Sequence, residues 1–345
     1  MGTTASVEGG ELRRHLGVFD AVVIGLGSMI GAGIFAALAP AASAAGSGLL
    51  LGLALAAVVA YCNATSSARL AARYPQSGGT YVYGRERLGD FWGYLAGWGF
   101  VVGETASCAA MRLTVGSYVW PSQAHAVAVA AVLALTAVNY VGVQKAAIPL
   151  ALGITLVVYA AVAVAALSVL GADRLAHSAA PLADAVRAAG VPSLAPVVRV
   201  GAAVAALGSL LALILGVSRT TLAMARDRHL PHVLAAVHPR FGVPHRAELV
   251  VGVVVSVLAA TADVRGAIGF SSFGVLVYYT IANACAWTLT QAEGRPARVV
   301  PIVGAAGCLV LAFSLPLASV LWGAAVIAIG AGAYGLHKAA DRRGA

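Results

Sequence analysis

Apolar residues in this chain gather in long blocks instead of alternating with polar ones. Runs at about 18–42, 46–70, 91–119, 124–142, 146–170, 197–225, 247–262, 266–291, 299–315 and 317–336 carry few or no charges. Most reach the roughly 20 residues that a helix needs to cross the hydrocarbon core of a bilayer. The pattern predicts ten membrane helices. Polar segments separate them, the longest being Arg73–Asp90, Gly171–Pro196 (with Pro181, Pro192 and Pro196) and the loop within 218–246. Pro316 and its neighbours alone part the last two runs.

The first run departs from a plain membrane helix. Its stretch GLGSMIGAGIF, residues 25–35, contains Gly25, Gly27, Gly31 and Gly33. Glycine weakens a helix and permits unusual backbone angles. In lipid, freed backbone groups are tolerated only where protein or a watery cavity covers them. A helix loosened at mid-membrane offers N–H donors and a helix N-terminus to a carboxylate. A ligand site is one reading of the cluster. The other is packing, because Gly27 and Gly31 form a small-xxx-small pair. Gly48/Gly52 and Gly93/Gly97 repeat that spacing and are expected to serve packing only. A nucleotide loop is excluded, since GxGxxG would need glycine where Ile30 stands.

Composition agrees with the blocks. Of 345 residues 60% are hydrophobic and 10% charged, and mean hydropathy is +0.89, values foreign to soluble domains. The expected organisation is a single transmembrane domain over 1–345, with 1–16 and 337–345 as cytoplasmic tails. Met1–Leu16 is polar and lacks the apolar core of a signal peptide. Cys62, Cys108, Cys285 and Cys308 all fall in apolar runs without metal or redox spacing and read as small core residues. The net charge of +9 is a matter of orientation: 17 of the 22 Lys and Arg fall on one side of the predicted topology. By the positive-inside rule that side is the cytoplasm, with both termini there. Nucleic acid is thereby set aside as a partner. The bilayer and a small solute remain, and nothing indicates an oligomer.

Four segments, in order, resemble the amino acid–polyamine–organocation permease family. GSMIGAGIF resembles its glycine-rich broken first helix, and residues 70–98, LAARYPQSGGTYVYGRERLGDFWGYLAGW, its second-to-third-helix loop and the start of the third helix. NYVGVQKAA at 139–147 resembles the fourth-to-fifth connection, and GVSRTTLAMARDRHLPHVLAAVHPRFGVPHRA at 216–247 the loop after the eighth helix. The resemblance implies an all-α, LeuT-type bundle with an inverted repeat. It also implies carriage of an amino acid or related amine by alternating access, often with a proton or sodium ion. It places the backbone of Ile30, Gly31, Ala32 and Gly33, with Gly27 and Ser28 beside them, against the substrate's carboxylate or amine. The repeat is incomplete: after about Leu170 the chain passes to what precedes the family's eighth helix, leaving the sixth and seventh without counterparts. Loss of two helices keeps every later loop on its side. It leaves open a trimmed carrier, alone or with a second copy or partner, or a non-transporting relative.

Among ionisable residues inside the runs, Glu104 is the candidate for proton coupling, because a carboxylate in lipid needs a cavity or partner. The alternatives are packing against hydroxyls or pairing with Arg112. Asp20 fits a helix N-terminal role better than coupling. Arg219 and Arg226–Asp227–Arg228 mark a membrane boundary and could pair with loop acids. Tyr81, Tyr83 and Trp98 suit interface anchors. His229, His232, His238 and His245 lie in a proline-broken loop with no metal-ligand pattern, so no metal and no cofactor are expected. Ser209 and Ser218 could serve sodium, but a serine in a membrane helix more often bonds its own backbone. No hydrolytic triad or paired catalytic carboxylates suggest an enzyme.

Overall fold

The computed structural model describes residues 32–119, 123–141, 149–261 and 264–344. Among them every regular element is helical: α1 (Ala32–Ala36), α2 (Leu38–Ala45), α3 (Leu49–Arg73), α4 (Thr80–Leu88), α5 (Asp90–Val119), α6 (Ala124–Val141) and α7 (Pro149–His177). They continue as α8 (Pro181–Ala188), α9 (Ala195–Arg226), α10 (His245–Thr261), α11 (Val264–Trp287), α12 (Val299–Phe313) and α13 (Leu317–Gly344). The protein is an all-α membrane bundle of the kind expected. Five described stretches are long and apolar enough to cross a membrane: Leu38–Arg73, Thr155–His177, Pro192–Arg226, Gly266–Trp287 and Leu317–Ala339.

The helices follow the apolar runs, with two additions inside segments that read as polar joints. α4 forms within Arg73–Asp90 and buries Tyr81, Val82 and Tyr83. α8 forms within Gly171–Pro196, opened by Pro181 at its first turn, where the missing N–H does no harm. α7 is broken at Gly171, whose φ of 71° and ψ of 166° lie outside the helical region. That break falls where the family resemblance ends its fifth helix.

α5 is the central element, packed on α4, α6, α9, α10, α11 and α13. Its contact with α11 is close because side chains are absent there. A β-carbon on Gly274 would stand 2.8 Å from the Gly99 carbonyl oxygen, and one on Gly103 would stand 3.2 Å from that of Ser271. Gly93 and Gly97 likewise admit α4 and Met224 against α5. Gly48 and Gly52 behave otherwise than expected: Gly52 faces open space and Gly48 meets only Ala45 at 3.9 Å. They pack nothing. Outward, Leu51, Val157, Phe313 and Leu317 are each more than two-thirds exposed, the surface that acyl chains would cover.

A buried polar knot ties α3 to α11 and α12. Asn283 accepts from Ser66 at 2.7 Å and donates to Asn63 at 2.7 Å, while Asn63 donates to the Cys308 sulfur at 3.3 Å. All four cysteines are buried and free.

Candidate functional site

The site begins at the described end of the first run. α1 and α2 are separated by a bend at Ala37 that keeps helical angles, φ −79° and ψ −21°. Pro40 accounts for it. Proline has no N–H for the Ala36 carbonyl four residues back, and its ring crowds that carbonyl. Two tyrosines hold the bent segment. The Tyr118 hydroxyl of α5 donates to the Phe35 carbonyl at 3.0 Å, and the two rings meet edge to face at 5.7 Å. The Tyr159 hydroxyl of α7 takes the backbone N–H of Ile34. It sits so near Gly33 that a β-carbon there would collide with it. Gly33 is glycine for close approach.

Beside this segment lies a cavity of about 120 Å³, lined by Gly33 and Ala37, by Ser107, Ala110, Met111 and Thr114 of α5, and by Ile268, Ser271 and Ser272 of α11. The volume is about four times one water's share of the liquid, enough for the ammonium–carboxylate head of an amino acid. Ser107 and Ser271 share a hydrogen bond. Thr114 and Ser272 donate to their own helix carbonyls at 3.0 and 2.8 Å. With their protons so placed, the hydroxyl oxygens Thr114 and Ser272 keep lone pairs, which suit a cationic donor.

Of the residues expected to meet substrate, Gly33 lines the cavity and Ala32 adjoins it in sequence. Gly27, Ser28, Ile30 and Gly31 lie outside the described residues, as does Asp20. Glu104 is half-buried on α5, one turn before Ser107, and its charge acts on Cys108, Tyr278 and Tyr279. Pairing with Arg112 is not what the structure contains. Arg112 is fully buried, its Nε donates to the Ala109 carbonyl at 3.2 Å, and its terminal nitrogens have no hydrogen-bond partner among the described residues. Both side chains project from one helix, and eight residues place them two turns apart.

At the cytoplasmic end, as the charge pattern assigns it, the expected anchors turn inward. Tyr81 is 0% and Tyr83 6% exposed, and Trp98 donates to the Val326 carbonyl at 2.9 Å. The Tyr81 hydroxyl donates to Asp227 at 2.6 Å and stands 2.8 Å from Nδ1 of His229. Its proton being given to the carboxylate, the imidazole must present Nδ1–H to the phenol oxygen. Burial, followed by the Arg85 charge, holds His229 below its usual 6.5. Arg85 also pairs with Asp227. In the boundary cluster it is thus the acid that finds a base, on α4. His238 stands edge-on to His245 at 5.4 Å. Ser218 donates to the Leu215 carbonyl of its own helix at 3.2 Å.

Sequence reading passed over Glu248. It is 0% exposed in the first turn of α10, near Arg219 of α9. The available signal was an acidic residue on the first turn of an apolar run, which alone says no more than helix N-terminus.

Helices of bilayer length, apolar outer faces and a largely apolar cavity that four hydroxyls line in part define a multi-pass membrane protein of the permease type. Comparison with known proteins makes the class specific. A family profile described as amino acid permease matches residues 137–332 and another matches 20–148. An uncharacterized transporter of Mycobacterium tuberculosis (strain ATCC 25618 / H37Rv) is 64% identical over 410 residues, covering 96% of this chain and 93% of its own. A methylthioribose transporter of Bacillus subtilis is 24% identical over 438 residues, with 95% and 94% covered. The human cationic amino acid transporter 4 is 24% identical over 388 residues, with 83% and 61% covered. The chain belongs to the amino acid–polyamine–organocation permeases. In the first alignment 96% of 345 residues, about 331, stand against 410 positions, so about 79 positions have no residue of this chain.

Proposed function

We propose that this protein carries an amino acid or related amine across the cytoplasmic membrane by alternating access, driven by a proton, with both termini in the cytoplasm. The observation that carries the reading is the cavity where Gly33 and Ala37 of the bent opening helix meet the serines of α5 and α11. Relatives named for methylthioribose and for cationic amino acids leave the solute class open. Hydroxyl lone pairs favour a solute that carries an ammonium, an amine or a zwitterion, because that group needs acceptors. Glu104, close to the cavity wall, is the sequence-derived candidate to answer a proton.

A second reading, a non-transporting relative with a binding or structural role, draws on the alignment. About 79 unmatched positions suffice for two membrane spans and their joints, and the Gly171 break supports their absence there. The family's sixth helix would face the first across the substrate.

Uptake of labelled L-leucine, L-serine and L-arginine into proteoliposomes, with the outside more acidic, separates the two readings. Saturable, gradient-dependent uptake of at least one is expected. Absence of uptake of all three by protein that unfolds cooperatively on heating would overturn the first reading and favour the second.

A further inference from the structure

We propose that Glu248 is the group that binds and releases the coupling proton, with Arg219 as its alternate partner; this rests on the proton-driven transport proposed above. Glu248 lies in the first turn of α10, yet it is among the largest fully buried side chains. Neither of its oxygens has a hydrogen-bond partner among the described residues. A carboxylate so placed has lost its water and received nothing in exchange, a condition that proteins rarely leave uncompensated. Two remedies exist, a proton or a counter-charge, and both are at hand.

Arg219, on the neighbouring α9, is the described charged group whose field reaches Glu248. Packing of Val217 in α9 with Val251 in α10 closes the side deeper in the bundle. On the other side, one turn earlier in α10, His245 meets His238 edge-on at 5.4 Å, and Arg246 follows it in sequence. The short turn His232–Ala235, which carries His232, also packs against α10. The carboxylate takes one proton from one aqueous phase and later gives that proton to the other. While neutral it leaves Arg219 to other partners; once charged it draws the guanidinium onto itself. α9 also packs on α1 and α5, two of the three elements that line the cavity. The contact with α1 lies at Val198 and Ala202, at the other end of α9. Nearer Arg219, Leu210 and Ile214 of α9 share a cluster with Met111 of the cavity wall, so movement of the Arg219 end reaches the solute site along the helix itself. Glu104 differs in being only half-buried.

The test compares Glu248→Gln with Glu104→Gln in proteoliposomes, using whichever of L-leucine, L-serine and L-arginine the wild type takes up fastest. Glu248→Gln should lose accumulation driven by a pH gradient and substrate-induced acidification of the lumen, yet keep counterflow of preloaded amino acid, which needs no net proton movement. Gradient-driven accumulation by Glu248→Gln at the wild-type level would overturn the proposal, as would its retention there and loss in Glu104→Gln. Loss of counterflow as well would reduce Glu248 to a structural role and overturn it too. Should the wild type take up none of the three, the transport reading fails, and infrared titration of the substrate-free protein in nanodiscs still decides. A protonated-carboxyl band that titrates with pH and vanishes in Glu248→Gln is expected; a band unchanged by the substitution overturns the assignment.

Discussion

Tyr81 shows how far a residue's neighbours depart from what its type suggests. An amphipathic ring close to a predicted membrane boundary reads as an anchor at the lipid–water interface. In the structure its hydroxyl instead joins Asp227 and His229, residues from the far end of α9, beneath Arg85. Removing the hydroxyl leaves a part-buried carboxylate short of one donor. Tyr81→Phe should therefore cost about 2 kcal/mol, the range for a hydrogen bond to a charged group, read as a lowered unfolding temperature. A second residue-scale tie lies outside the membrane. Glu293, in the loop between α11 and α12, receives both terminal nitrogens of Arg87 at 3.0 and 2.9 Å and the N–H and hydroxyl of Thr290. Arg87, with Thr290, holds this carboxyl near 2, below its usual 4.5. Because the folded value is the lower one, its stabilisation is whole above 4.5 and is lost as pH falls towards 2. The gap in unfolding temperature between wild type and Glu293→Gln should narrow over that interval; a gap constant with pH would rule the pair out as a contributor.

At the scale of the helix, spacing alone did not distinguish working glycines from idle ones. Gly48/Gly52 and Gly93/Gly97 have the same interval, but only the second pair meets a neighbour. A close helix crossing runs through Gly99, Gly103 and Gly274, positions in two helices far apart in the chain. Gly274→Leu should destabilise the fold by about 1–3 kcal/mol, as overpacking does. Gly52→Ala, with open space before it, should gain up to about 1 kcal/mol from helix propensity. Thermal unfolding of the two variants checks both signs. The bend at Ala37 belongs to this scale too. Pro40 is the kink signal in the sequence, and it acts one turn before itself. The asparagine knot was not visible, because Asn63 and Asn283 have no periodic relation; each is affordable in an apolar helix only because the other is there.

For the whole molecule, the all-α class and the order of the described apolar helices were legible from run length. Their burial was not, since a membrane-spanning run is apolar on the side facing lipid and on the side facing protein alike. Orientation follows from charge counting, and the buried native cysteines leave little background for testing it. With a membrane-impermeant thiol reagent on intact cells, Ser193→Cys should be labelled and Arg240→Cys only after the cells are opened. The reverse result would invert the topology and, with it, the direction in which Glu248 meets the cytoplasm.

What the sequence determined by itself is the solvent of this protein, the course of its helices and its family. These follow from quantities that run along one dimension: the length of apolar runs, the side on which basic residues gather, and the order of local motifs. Only the tertiary structure decided which glycines allow contact, that Tyr81 points inward, that hydroxyls of α5 and α11 share a cavity with Gly33, and that Glu248 is stripped of water. Each of these depends on pairing between helices distant in the chain. Burial and hydrogen-bond satisfaction belong to the pair and not to the residue, so no local pattern could have announced them.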